Sequence, residues 1–206
     1  MDTKLNIVDV NRFNPSVDWA KVAEQTDGVI IRVGYRGLTG QVTSDPNYKK
    51  FLKGAIDAGV KRIGLYWWSC HTDPSEADVD AAYLMTLVSQ FKEHINFGVW
   101  LRSQPFPEKC EFNEMSAEDR TECALAFLKE IKVQGLWGGV YADEDWFNEQ
   151  LVLDDLSDQP LWVAHHGDTP PETVKNYAGW QYAEGAKVDG VTRGAGLSWF
   201  ADLAAK

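Results

Sequence analysis

Five times along this 206-residue chain, a short run rich in β-branched and aromatic residues is followed by a stretch with helical periodicity, and then the pattern breaks. The strand-like runs fall at 5–10, 28–35, 62–68, 97–102 and 136–142, and the helical stretches at 17–25, 45–59, 74–91, 116–135 and 143–151. Strands separated by helices pair in parallel, because the helix carries the chain back across the sheet. Beyond residue 151, three further strand-like runs (160–166, 178–183 and 187–191) follow without a normal helix between them, and 197–205 reads as helical. The expected fold is a closed α/β barrel of eight strands: five βα units, then three hairpin-linked strands. One domain over residues 1–206 suffices, since a single core divides only beyond about 250 residues. The sequence shows no repeat, linker or low-complexity segment.

Local signals place the boundaries. Ser16, after the turn at Asn14-Pro15, is a candidate N-cap for the first helix. Asp45-Pro46 opens the second helix and Gly59 closes it, the favoured order of Pro early and Gly late. Ser116 with Asp119 forms a loose capping box.

The formal charge of −11 argues against non-specific nucleic-acid binding, which needs a cationic surface, and against an anionic membrane as partner. Cys70, Cys110 and Cys123 are odd in number and lack CxxC spacing, so neither a disulfide framework nor a structural zinc site is expected, and no cofactor is implied. The first ten residues lack the basic start and apolar run of a signal peptide, and nothing approaches the roughly 20 apolar residues of a membrane span. A soluble product made in the cytoplasm, monomeric as a domain, is the expectation, with release to a cell wall or incorporation into a phage particle as routes outward.

The stretch "FGVWLRSQ" (97–104) poses the functional question. Alternation puts Arg102 and Gln104 on one face at the end of a barrel strand, where catalytic side chains usually sit. Neither side chain can perform general acid or base chemistry there. Other carboxylates follow nearby: Glu108 and Glu111 after the fourth strand, and Asp143, Glu144 and Asp145 after the fifth. The last three also suit an ordinary helix N-terminus. His165 and His166 are adjacent in a strand, point to opposite faces and cannot serve one site, which leaves no metal centre. Tyr35, Tyr66, Trp68, Tyr141, Trp162 and Trp180 sit towards strand ends, where they serve as core filler or present rings to sugar faces.

Taken in order, "IVDVNRFNPSVDWAKV", "GVIIRVGYRG", "DPNYKKFLKGAIDAGVKRIGLYWWS", "LWGGVYADEDWF", "PLWVAHHG" and "GWQYAEGAKVDG" resemble the family 25 glycoside hydrolases, the Chalaropsis-type lysozymes or N-acetylmuramidases. The resemblance spans essentially the whole chain and implies a flattened, TIM-like barrel of eight strands. It also exposes departures. Where the family has an "LDVE"-like stretch with a general acid and an assisting aspartate, this chain has Leu101-Arg102-Ser103-Gln104. Where the family has a "DLN"-like aspartate after the last strand, it has Gly196-Leu197-Ser198. Of four expected cleft carboxylates, Asp9 alone remains, and the resemblance places His165 in the cleft.

The resemblance and the substitutions together imply a domain that no longer hydrolyses glycans but binds a bacterial cell-wall glycan or another protein. The cleft would use Asp9, Tyr35, Tyr66, Trp68, Arg102, Gln104, Tyr141, Trp162, His165 and Trp180. Two alternatives stand beside this: an active muramidase whose acid has moved to Glu108, Glu111 or Asp143, and a structural phage or secretion-machine component. Arg102 is expected to form an ion pair with Asp9 and to lower its pKa.

Overall fold

The computed structural model describes residues 4–106 and 108–202. Among these described residues nine strands form one sheet: β1 (Lys4–Val10), β2 (Gly28–Arg36), β3 (Val42–Ser44), β4 (Ile63–Trp68), β5 (Val99–Arg102), β6 (Gly138–Asp143), β7 (Leu161–Ala164), β8 (Gly179–Ala186) and β9 (Ala195–Ala201). Strands β1, β2, β4, β5, β6, β7 and β8 run parallel in that order. Strand β9 lies antiparallel between β8 and β1 and closes an eight-stranded barrel. The short β3 folds back on β2 as an edge hairpin that the sequence pattern did not announce.

Helices α1 (Trp19–Gln25), α2 (Tyr48–Asp57), α3 (Pro74–Val88), the one-turn α4 (Glu111–Glu114), α5 (Ala117–Val133) and α6 (Glu144–Gln150) complete the five expected βα units. Asp18, not Ser16, caps α1, its side chain accepting from the Lys21 amide. Ser116 caps α5 as expected, accepting from Asp119 N at 3.0 Å. Among the described residues, no helix is long and apolar enough to cross a membrane.

The expected ending needs correction. Strands β7 and β8 pair in parallel through a loop, so β8–β9 is the one hairpin among the last three strands. Residues 187–191 form a turn, with a single bridge between Val17 and Val191. The expected helix at 197–205 is instead β9 as far as Ala201, and residues 203–205 lie outside the described residues. Local helix propensity there yields to the tertiary demand for a closing strand, which Trp199 and Phe200 suit.

Alternation along the strands builds two cores. Val8, Val29, Ile31, Leu65, Trp67, Val99, Leu101, Val140 and Val163 face outward beneath the helices. Ile7, Ile30, Tyr66, Trp100, Tyr141, Trp162 and Phe200 fill the barrel interior. Trp100 packs at 5.8 Å from Trp162 and 5.4 Å from Phe200, so the barrel is plugged by aromatic rings and any site must lie above them. Asp80 of α3 fastens that helix to the barrel: fully buried, it receives Arg36 Nη2 at 2.7 Å, Trp67 Nε1 at 3.0 Å and Ser69 Oγ at 2.9 Å. Burial alone would raise its pKa, but hydrogen bonds from His71 and Arg36, with the Arg36 charge, hold it below the usual carboxylate range.

Candidate functional site

Above the aromatic plug, the C-terminal ends of the parallel strands open into a cleft lined by Asp9, Tyr66, Arg102, Tyr141, Gln181 and Gly196, among others. Each comes from the inward parity of its strand, which is why residues so distant in sequence meet.

Asp9, half-buried, is held from one side. Gln181 Nε2 donates to its Oδ2 at 2.8 Å, and Gln181 Oε1 in turn accepts from Tyr141 Oη at 2.8 Å. His166 Nε2 lies 3.1 Å from that same Gln181 oxygen. Removal from water raises the Asp9 pKa to about 6, against the smaller lowering effects of the Gln181 bond and the Arg102 charge. This reverses the lowering expected from an Arg102 pair. Among the described residues no ion pair joins Asp9 to Arg102; they share a cleft and a field, not a contact.

Arg102 is satisfied elsewhere. Its Nε donates to Gln104 Oε1 at 2.8 Å, and its guanidinium lies 4.6 Å from the Trp68 ring and 5.5 Å from the Tyr141 ring. Gln104 Nε2 passes the chain on to Asp143 Oδ2 at 3.2 Å, while Asp143 Oδ1 caps α6 through the Trp146 amide at 2.8 Å. The amide of Gln104 is thus oriented from both ends: its oxygen faces a cation and its nitrogen a carboxylate. A glutamate in that place would face Asp143 across the same gap, an arrangement in which one carboxyl keeps its proton. The amide has none to give.

Gly196 is required by Asp9. The two residues are register partners, and a Cβ at 196 would lie 1.8 Å from Asp9 Oδ2. A carboxylate at 196 and Asp9 in this pose exclude one another. The glycine also lies within the last strand rather than after it.

The remaining expected residues divide. Tyr66 and Trp162 line the cleft, Trp162 donating to Ser198 Oγ at 3.0 Å, while the buried Tyr66 hydroxyl makes no well-formed hydrogen bond among the described residues. Trp68 forms the rim, stacked on Phe106 at 4.5 Å. Tyr35 pairs in register with Trp68, and its hydroxyl accepts from Arg12 at 3.3 Å, outside the cleft lining. His165 and Trp180 are corrections. His165 turns away to Glu144, Nδ1 to Oε2 at 2.6 Å, and strand parity gives His166 the inward place. Trp180 faces outward beside the inward Gln181, and its indole donates to the His165 carbonyl at 2.6 Å. Of the proposed substitute acids, Glu108 and Glu111 are exposed and outside the lining, and Asp143 is committed to its cap.

Sequence reasoning missed Gln181, Glu184 and Phe13, all of which line the cleft. Phe13 is 55% exposed at the mouth, with the guanidinium groups of Arg12 and Arg32 at 5.0 and 5.5 Å from its ring. The alternation Trp180-Gln181-Tyr182 was the available signal for Gln181. Among the described residues, no three His, Cys, Asp or Glu side chains come together in a metal-binding group.

Known proteins place this geometry. The sequence profile described as glycosyl hydrolases family 25 matches residues 8–191. The autolytic lysozyme of Clostridium acetobutylicum is 29% identical over 196 residues, covering 95% of this chain and 55% of that protein. Counting factor 50 of Dictyostelium discoideum is 28% identical over 186 residues, covering 87% and 58%. The chain therefore spans a little over half the length of these relatives. Among solved structures, the spore cortex lytic enzyme SleM of Clostridium perfringens superposes with a TM-score of 0.83 at 20% identity, covering 96% of this chain and 67% of that one. The modular autolysin LytC of Streptococcus pneumoniae, determined in complex with a synthetic peptidoglycan ligand, gives 0.81 at 20% identity, covering 96% and 47%. With a profile match across nearly the whole barrel, the chain belongs to glycosyl hydrolase family 25.

Proposed function

We propose that the cleft binds a peptidoglycan-type glycan and leaves it uncut. The observation that carries this is Gln104: at the position where the family resemblance implies a general acid, an amide is held between Arg102 and Asp143. Glycoside hydrolysis needs a proton delivered to the leaving oxygen, a contribution of about 10²–10⁴-fold by itself. Arg102 adds fixed positive charge where an oxocarbenium-like cation develops in this chemistry. Binding is supported by the aromatic lining of Tyr66, Tyr141 and Trp162, together with the peptidoglycan ligand held by LytC. The test is a titration of the 15N-labelled protein with N-acetylglucosamine–N-acetylmuramic acid oligomers. Saturable shifts at the Trp68 and Trp162 indoles, lost in Arg102→Ala, support binding; no shifts at all point to a structural role.

A second reading rests on Asp9. A carboxyl with a pKa of about 6 retains a proton over part of the range in which such an acid works, and Glu184 lies on the same cleft. If Asp9 is the acid, the protein degrades cell walls and Asp9→Asn abolishes the activity.

A further inference from the structure

Cys70 follows β4 and Cys110 immediately precedes α4, 40 positions apart, yet their Sγ atoms lie 3.8 Å from one another. Both are free thiols, Cys70 buried and Cys110 half-buried, and they touch on the side of the barrel that carries the cleft rim. Cys123, by contrast, is fully buried in the packing of α5. A disulfide requires sulfurs about 2.05 Å apart, so closure requires the two Sγ atoms to approach from 3.8 Å.

We infer that Cys70 and Cys110 form an oxidisable pair that closes into a disulfide by exchange with a small-molecule disulfide. Cys110, the more accessible thiol, loses its proton and attacks one sulfur of that disulfide, breaking its S–S bond and releasing one thiol. Cys70 then loses its proton, attacks the Cys110 sulfur of the mixed disulfide and expels the second thiol. Two protein thiols and one small disulfide become one protein disulfide and two small thiols, with two electrons passing from protein to oxidant. The order follows from burial, which pushes the Cys70 thiol up to about 12 and makes it a poor first nucleophile.

The bond would strap the cleft wall. Two residues before Cys70 stands Trp68, which stacks on Phe106 at 4.5 Å and underlies Arg102 at 4.6 Å. Four residues before Cys110 stands Phe106 itself, whose backbone is clasped by the Asn113 side chain at 3.1 and 2.9 Å. Closure joins the two segments that meet in the ring stack, so the rim beside Arg102 is fixed covalently. This inference is independent of whether the cleft holds a glycan.

The experiment compares the full chain after dithiothreitol with the chain after oxidised glutathione, by non-reducing peptide mapping, thermal unfolding and limited trypsin digestion. Oxidation is expected to yield a Cys70–Cys110 linked peptide two hydrogens lighter than its parts. It should also raise Tm by about 5–10 °C and slow cleavage after Lys109, whose side chain is 85% exposed. Cys110→Ser should abolish all three effects and Cys123→Ser none. A stable glutathione adduct on Cys110 without closure, linkage between molecules only, or closure that leaves the Lys109 cut as fast as before would overturn the inference.

Discussion

Replacing Asp9 by Asn should make this protein more stable, and only above a certain pH. The Asp9 carboxyl has a pKa raised from 3.8 to about 6 by loss of hydration, with the Gln181 hydrogen bond and the distant Arg102 charge too weak to compensate. The folded state therefore holds this proton more tightly than the unfolded chain does. Below 3.8 both states are protonated and Asp9 costs nothing; between 3.8 and about 6 the unfolded chain ionises while the folded state keeps its proton, so stability falls until the folded carboxyl ionises too. At about 1.4 kcal/mol per pH unit the full penalty is about 3 kcal/mol, trimmed to about 2–3 kcal/mol because the cleft is open to water. Asn mimics the protonated form and keeps an acceptor for Gln181. Urea unfolding of the wild type and Asp9→Asn should coincide at pH 3 and separate by about 2–3 kcal/mol at pH 8, or roughly 4–12 °C in Tm. Taking the difference between the two proteins cancels every other titrating group. If the variant is no more stable at pH 8, or if the gap is the same at pH 3, the assignment of Asp9 as a desolvated carboxyl is wrong.

Three further outcomes follow from the same geometry. Asp80→Asn leaves the Arg36 guanidinium buried without its closest carboxylate and should cost about 3–5 kcal/mol in urea unfolding. Gly196→Ala places a methyl against Asp9 Oδ2, so it should cost about 1–3 kcal/mol and move the Asp9 carboxyl resonance and its titration. Glu144 is drawn down to about 2, because hydrogen bonds from the Thr173 hydroxyl and from the amides of Thr173, Glu172 and Val174 outweigh the opposing effect of burial. Its stabilising contribution is present above the ordinary value of 4.5 and is lost as pH falls towards 2, so the protection factors of the Thr173 and Val174 amides, taken against the intrinsic exchange rate at each pH, should fall over that window and, at neutral pH, in Glu144→Gln.

The barrel was legible because parallel βα units leave a strong periodic trace, the end of β5 was legible through simple alternation, and Asp9 at the end of β1 through the family resemblance. That was enough to place Asp9 and Arg102 in one cleft and Gln104 beside it. The ending was not. Residues 197–201 carry Leu, Ala and Trp in a pattern that suits either state locally, and only the gap between β8 and β1 decides for a strand. His165 was misplaced because it was assigned by resemblance, whereas parity from Trp162 through Ala164 gives the inward place to His166. The Arg102–Asp9 pair failed for a related reason. Opposite charges converging on one cavity suggest a pair, but Gln104, Trp68 and Tyr141 satisfy the guanidinium first, and Gln181 satisfies the carboxylate. Competition among neighbours of that kind is a property of three-dimensional packing, and it sets even the sign of the Asp9 shift.

Gln104 and Arg102 are proposed to have removed hydrolysis while the cleft remains. Release of new reducing ends from purified peptidoglycan, followed between pH 4 and 8 beside an active family 25 lysozyme, tests it directly. No release by this protein is expected at any of these pH values, although the same preparation binds soluble glycan oligomers. Steady release that disappears in Asp9→Asn would contradict it and establish Asp9 as a working acid.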